Sequence, residues 1–373
     1  MEEIKVSNVS VISVDDMVKQ LSTSYSKLIN NNIPVKTMPS VMLWSAPGLG
    51  KSQGVREIAK EIEINTGKKV VVTDVRLLLF NPIDLRGIPT SNANKTLAIW
   101  LKPQIFQMDE SNDVVNILFL DEISAAPQSV QAAAYQITLD RVIGEHKLPE
   151  NCIVIAAGNR VTDKSVAYKM PKALANRLLH IEIESNFDSW ERWAISKGIN
   201  EKVIGFLSFD KNALMTFNTS NDDLAFATPR SWEMVSNILN NINDNVNEVF
   251  DLIVGLIGLN IASEFRRYCA LYKELPSIED IFNGIEFKVP SKPDAKYALI
   301  SSMVKYARSH KYDIDKIKNS IVYLTSQNFT PEYSIFAIRE YLYLDKDYRE
   351  FLLKIPEFNR WIGDKGQLLN GLF

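Results

Sequence analysis

In the first half of the chain the apolar positions fall in short continuous runs separated by longer stretches of helical period. "SVMLW" (40–44), "KVVVTDV" (69–75), "NILFLDE" (116–122), "CIVIAAGN" (152–159) and "LLHIEIE" (178–184) are dominated by Val, Ile and Leu. Runs of this kind alternating with helices predict a five-stranded parallel α/β sheet. Of the connecting stretches, "QGVREIAKEIEINTG" (53–67) has helical period and stops at Gly67, and "APQSVQAAAYQITLD" (126–140) is Ala-rich with Pro127 near its start. Both read as helices with recognisable ends.

Past about residue 188 the strand-like runs nearly vanish. "SWERWAISKG", "TPRSWEMVSNILNNI" and "VFDLIVGLIGLNIASEFRRYCALYKEL" carry apolar residues at helical spacing. Trp190, Trp193 and Trp232 sit among apolar neighbours at that spacing and read as packing residues. "FNGIEFKVPSKPDAKY" (282–297), with two prolines and a glycine, predicts a connector into a last helical segment that runs to Phe373. The expected organisation is an α/β core over 1–188, a helical domain over 189–290 and a helical C-terminal extension over 291–373.

Composition narrows the classes without choosing among them. With 373 residues, 46% hydrophobic and 23% charged, the chain has the makings of two or three packed domains and not of a disordered one. A net charge of -3 and a pI near 5.8 argue against a dominant nucleic-acid surface, though a local basic channel stays open. The acidic start "MEEIKVSNVSVISVDD" lacks a basic region followed by an apolar core, and no apolar run approaches the roughly 18 residues of a membrane helix, so a cytoplasmic, membrane-free protein is expected. Cys152 lies inside the apolar run "CIVIAA", far from Cys269, and predicts a buried reduced thiol. His146, His180 and His310 are scattered without the spacing of a zinc site.

The chemistry concentrates behind the first strand. "SAPGLGKS" (45–52) departs from the phosphate-loop pattern G-x-x-x-x-G-K-[ST] only at Ser45. A strand, a glycine-rich turn and a helix start aim several backbone N–H groups at one point, where the helix dipole also favours an anion. Lys51 would reach the β- and γ-phosphates of ATP and the Ser52 hydroxyl would hold Mg²⁺. Gly48 and Gly50 stand where a side chain would obstruct the phosphate or where positive φ is needed. "NILFLDE" ends in Asp121 and Glu122, a strand-terminal carboxylate pair suited to holding the metal and polarising an attacking water. "IVIAAGNR" would place the Asn159 amide beside the γ-phosphate without adding charge.

Together these residues resemble an AAA+ ATPase, and within that superfamily the MoxR group. The likeness runs from about residue 40 to 240 through "APGLGKS", "DLRGIP", "ILFLDEISAAPQSVQAAAYQITLDRVIGEHKLPENCIVIAAGNR", "MPKALANRLLHIEIE" and "TPRSWEMVSNIL". It implies an AAA+ P-loop core followed by a helical lid and extension. ATP would be bound by Ala46, Pro47, Gly48, Leu49, Gly50, Lys51, Ser52, Gln53 and Asp121, with Mg²⁺ on Ser52 and Asp121. Glu122 would be the catalytic base, Asn159 the sensor 1 residue, Arg177 the arginine finger and Arg230 the sensor 2 residue of the lid. "DRVIGEHKLP" (140–149) resembles the hairpin before sensor 1, and "LLLFNPIDLRGIP" (77–89) the segment inserted near the second helix. Relatives in this group form rings, which implies a hexamer that remodels a protein client, with a von Willebrand factor A (VWA) partner. The adhesion motif D-x-S-x-S of such a partner is missing from this chain, where "DKSVA" (163–167) fails at its last position.

Two other classes are weighed against this one. A nucleic-acid motor shares the core, but the acidic balance and the lack of a helix-turn-helix, zinc or nuclease pattern speak against it. A small-molecule kinase has no use for Asn159, Arg177 and Arg230 in this order. Taken alone, Arg177 could simply pair with a carboxylate, and Arg141 could face a neighbouring subunit or solvent.

Overall fold

Ser13 opens the first helix by accepting the Asp16 amide at its hydroxyl, with Asp15 and Asp16 in the first turn, so α1 (Val14–Asn30) starts with both a cap and a favourable dipole contact. The computed structural model describes residues 9–160, 170, 172–218, 223–326, 329–345 and 347–365. The run 163–167 lies outside them. The chain divides into two compact units, Met1–Asn186 and Phe187–Phe373.

In the first unit β1 (Val11–Ile12) precedes α1, and the P-loop strand β2 (Val41–Trp44) leads into α2 (Lys51–Thr66). Helix α2 ends at Gly67, whose φ of 68° is the left-handed C-cap expected of that glycine. There follow β3 (Lys69–Arg76), the short α3 (Pro82–Arg86), the hairpin of β4 (Ile88–Ser91) and β5 (Ala98–Leu101), β6 (Val114–Asp121) and α4 (Gln128–Asp140). A second hairpin, β7 (Val142–Ile143) with β8 (His146–Lys147), leads to β9 (Cys152–Gly158), α5 (Lys172–Ala175) and β10 (Leu179–Ile183).

The main sheet runs β1-β10-β2-β9-β6-β3 with every pairing parallel. It has six strands where five were expected; the addition is the two-residue β1, too short and too polar in its surroundings to announce itself by pattern. Strands β6 and β9 are buried at every position, which accounts for their unbroken apolar runs. One face of the sheet packs Met42, Leu118, Leu120, Val154 and Ala156 toward α4; the other packs Leu43, Ile117, Phe119 and Ile155 toward α1 and α2. From β2 the chain crosses to the far edge at β3, returns through β6 and β9, and places β10 on the other flank of β2. A reversal of this kind leaves a crevice at the carboxyl ends of the strands, the usual place for a ligand in an open α/β sheet.

The second unit is helical: α6 (Phe187–Lys197), α7 (Glu201–Phe209), α8 (Pro229–Asn241), α9 (Phe250–Ile257), α10 (Leu259–Ala270), α11 (Ile278–Phe282), α12 (Pro293–Ser309), α13 (Ile314–Leu324), α14 (Pro331–Leu342), α15 (Tyr348–Leu352) and α16 (Pro356–Lys365). The apolar stretch from Phe250 is not one helix. Gly258, at φ 81° and ψ 156°, breaks it into α9 and α10. The expected connector ends earlier than its composition indicates, because Pro293 starts α12, a position where its missing N–H costs nothing. Trp190 and Trp232 are buried and Trp193 packs on the same core. A single apolar cluster runs from Trp190 to Phe358, and the Tyr272 hydroxyl ties α7 to α12 by bonding Glu201 O at 3.1 Å and Ser301 Oγ at 2.9 Å.

Candidate nucleotide site

Three strand ends meet at the carboxyl edge of the sheet. Ser45 follows β2, Asp121 closes β6 with Glu122 next, and Asn159 follows β9. Between β2 and α2 the loop turns on Gly48 and Gly50, with φ of 81° and 84°. A Cβ built on Gly50 meets nothing within 4 Å, so glycine is required there by the backbone angle and not by space. Ala46 and Leu49 are buried and anchor the loop, while Pro47 and Gly48 are half-buried. No side chain caps α2, which leaves the amides of its first turn to a ligand.

Lys51, the first residue of α2, folds back into the loop. Its Nζ donates to Ser45 O at 3.1 Å, Ser45 Oγ at 2.9 Å and Asn159 Oδ1 at 2.9 Å. Ser45, the one departure from the pattern, is fully buried and bonds the lysine through both its oxygens. Ser52 Oγ donates to Asp121 Oδ2 at 2.9 Å, and the Glu122 amide donates to Asp121 Oδ1 at 2.9 Å. Gln53, one residue on, bonds Glu57 at 3.1 Å and lines the helix side of the loop.

Glu122 is exposed and has φ of 59°, a left-handed conformation uncommon for a side chain of this size. Strain held at an exposed carboxylate beside a buried one is a frequent mark of a working site. Two residues that sequence reasoning missed hold this turn. Gln131, buried on α4, donates to Ser124 O and Ala126 O at 3.2 and 3.0 Å. Ser124 Oγ accepts the Asn159 amide at 2.9 Å, and a Cβ on Gly158 would lie 2.9 Å from it, so β9 must end in glycine for the serine to reach. The signal was a buried glutamine in an Ala-rich helix face, which has no reason to be there unless it bonds backbone.

A hydroxyl and a carboxylate in contact are the hard oxygen donors that suit Mg²⁺, which takes one or two protein groups and completes its shell with water and phosphate. Among the described residues no group of three or more His, Cys, Asp or Glu is placed to hold a metal alone. Asp74, on β3, adds negative potential: burial raises its carboxyl above the ordinary value, and repulsion from Asp121 adds to that. The residues therefore fit a magnesium nucleotide.

The arginines lie elsewhere. Arg177 is exposed in the turn before β10, at the amino edge of the sheet, opposite the phosphate loop. Leu179 pairs with Val41 while Ser45 follows Trp44, so a length of strand of about 13 Å separates the two edges. Arg230 belongs to the second unit, exposed in the first turn of α8, which Thr228 caps through the Ser231 amide. Arg141 points inward, where its guanidinium bonds the Cys152 carbonyl and closes α4 in a left-handed conformation. Cys152 is buried and free, and Cys269 is free and half-buried.

Residues 40–180 match the family model described as ATPase family associated with various cellular activities (AAA), so this stretch is an AAA-type ATPase domain. No curated protein matches the chain. Among solved structures it is similar to PCH-2 of C. elegans (11% identity, 68% of this chain and 67% of that one, TM-score 0.35). It is also similar to a RuvB variant of Thermotoga maritima (16% identity, 78% and 84%, TM-score 0.34). A third likeness is to NtrX of Brucella abortus in complex with ADP (13% identity, 93% and 70%, TM-score 0.34). At TM-scores this low these likenesses add nothing to the geometry. Among the described residues no helix is long and apolar enough to cross a membrane.

Proposed function

We propose that this chain is a magnesium-dependent ATPase of the MoxR type, a cytoplasmic motor that works as a hexameric ring and remodels a protein client, with a VWA-domain partner. The observation that carries the reading is the convergence of Lys51, Ser52, Asp121, Glu122 and Asn159, from three separate stretches, on one edge of the sheet. Lys51 exchanges its loop oxygens for the β- and γ-phosphates. Ser52 and Asp121 would hold a magnesium ion, which would supply positive charge against the phosphate oxygens. Glu122 orients water and takes its proton, while the Asn159 amide fixes that water's position. Arg177 stands on the edge away from its own loop, an arrangement that suits action on a neighbouring subunit's γ-phosphate. Arg230 serves as sensor 2 from the lid, residues 189–290, with 291–373 as an extension braced against it.

The test is capture with Glu122→Gln, which should bind ATP normally and hydrolyse it more slowly by about 10²-fold or more, the scale of losing a general base. A stalled ring should retain its client and a VWA-bearing chain when isolated from native cells with ATP. Recovery of nucleic acid instead would favour the nucleic-acid motor. Parental hydrolysis by this variant would remove Glu122 from the mechanism.

A further inference from the structure

His180 is the fold's link between the two edges of the sheet. Its Nδ1 accepts the indole N–H of Trp44 at 2.9 Å, and Trp44 is the last residue of β2, directly before Ser45. The two rings are 17° from coplanar with centroids 6.1 Å apart, the geometry of an in-plane N–H···N bond rather than of face stacking. With Nδ1 accepting, the ring proton sits on Nε2, which donates to the Ala175 carbonyl at 2.7 Å. Ala175 is the last residue of α5, two before Arg177. The imidazole therefore spans from the phosphate edge back to the arginine edge. Two positions along, Glu182 pairs with Arg160, the residue after Asn159, so β10 is tied to both loops of the nucleotide site.

Strand β2 is hydrogen-bonded on both sides, by β10 and β9, and does not need the indole bond to stay in place. Among the described residues, the turn that presents Arg177 is held by the Asn176 amide on Lys172 O at 3.3 Å and the Leu178 amide on Ala175 O at 3.2 Å, before β10 joins β2 through the Leu179 amide on Ser40 O at 3.0 Å. We propose that His180 is a positioning residue for Arg177, holding the turn through Ala175 and Trp44 so that the arginine is aimed at the adjoining subunit's nucleotide. This rests on the shared-site reading given above. Its consequence is directional: losing the imidazole should damage the chain that lends the arginine and spare the chain that lends the pocket.

The experiment uses two inactive full-length chains mixed to restore activity. Lys51→Ala lends only its Arg177, and Arg177→Ala lends only its phosphate pocket. Adding His180→Phe to the arginine-lending chain should lower the recovered kcat by about tenfold to a hundredfold, the cost of misplacing a catalytic group, with the KM for ATP unchanged. Adding it to the pocket-lending chain should leave recovery at the level of the parent mixture, which also proves that the variant folds and assembles. His180→Gln keeps one acceptor and one donor and should restore part of the loss. Equal losses on the two sides, or a loss on the pocket side only, would overturn the role while leaving the shared site standing. No recovery in the parent mixture, with subunit exchange demonstrated, would overturn both.

Discussion

Lys51 and Arg339 are both cations drawn into protein, and what surrounds them differs. The described partners of Lys51 include two oxygens of Ser45 and one of Asn159, at the mouth of a loop whose helix has no side-chain cap. Arg339 of the second unit meets Glu191, fully buried, at 2.6 Å, and Asp188 at 3.7 Å. The Ser208 hydroxyl fills the other Glu191 oxygen at 3.0 Å. Beside them Glu340 is also fully buried, and neither of its oxygens accepts a hydrogen bond from a described donor. The first cluster sets its cation beside helix amides that no side chain caps, where an anion can bind. The second gives its cation a full counter-charge and closes apolar side chains around it. Buried charge alone does not mark a catalytic site; an open anion-binding turn beside it is the stronger sign.

If that contrast holds, the two units should fail in different ways. Arg177→Ala removes an exposed guanidinium that no described contact uses for packing, so it should leave the unfolding midpoint unchanged. ATP binding should persist while hydrolysis falls by about 10³ to 10⁵, the range for an arginine that stabilises charge on a transferring phosphoryl group. Equilibrium nucleotide binding and single-turnover hydrolysis on one preparation check both halves. Full hydrolysis by this variant would return Arg177 to the bland alternative of a surface ion pair.

Arg339→Met should do the reverse. It strands Glu191 in an apolar interior, and breaking one partner of a buried pair costs about 3–5 kcal/mol. Urea unfolding followed by tryptophan emission should show the loss, and the surviving folded fraction should hydrolyse ATP at the parental rate per site. A variant of normal stability would mean that water reaches Glu191 and that the second cluster is less closed than its packing indicates.

The candidate site was more legible in the sequence than the arrangement that serves it. The strand runs, the Gly67 stop and the Pro127 start were readable because periodicity and caps are local. The same holds for Lys51, Ser52, Asp121 and Asn159, whose spacing follows from strand–turn–helix geometry. Ser45 stands in the sequence only as a departure from the pattern, because its value lies in a bond to Lys51 across the loop. The sequence leaves Arg141 open between a neighbouring subunit and solvent, since nothing local signals its bond to the Cys152 carbonyl. His180 lacks ligand spacing, and its partners lie 136 residues and five residues upstream. Long-range hydrogen bonds leave no periodic trace. The break at Gly258 leaves little trace for a different reason: the apolar spacing runs on through both flanking helices.

The smallest effect sharpens the comparison through pH. Burial holds the Glu340 carboxyl well above its ordinary 4.5; the Glu191 charge adds to this, and Arg339 opposes it. Burial raises the Glu191 carboxyl as well, but its ion pair with Arg339 and the Ser208 hydroxyl oppose that, so Glu340 is the one held well above its ordinary value. Below pH 4.5 the folded and unfolded chains both hold the Glu340 proton, and its contribution to stability is fully present. As the pH rises past that value the unfolded chain gains by ionising while the folded chain does not, so the contribution is lost progressively toward the raised folded value. Glu340→Gln keeps the size and a donor but cannot ionise in either state. It should match the parent near pH 4.5 and exceed it by roughly 1 kcal/mol at neutral pH, the low end for replacing a buried ionisable group. Urea midpoints at pH 5 and pH 8 measure the difference, with ATP hydrolysis unchanged. A gain that is the same at both values would show that the Glu340 proton is not what separates this cluster from the one around Lys51.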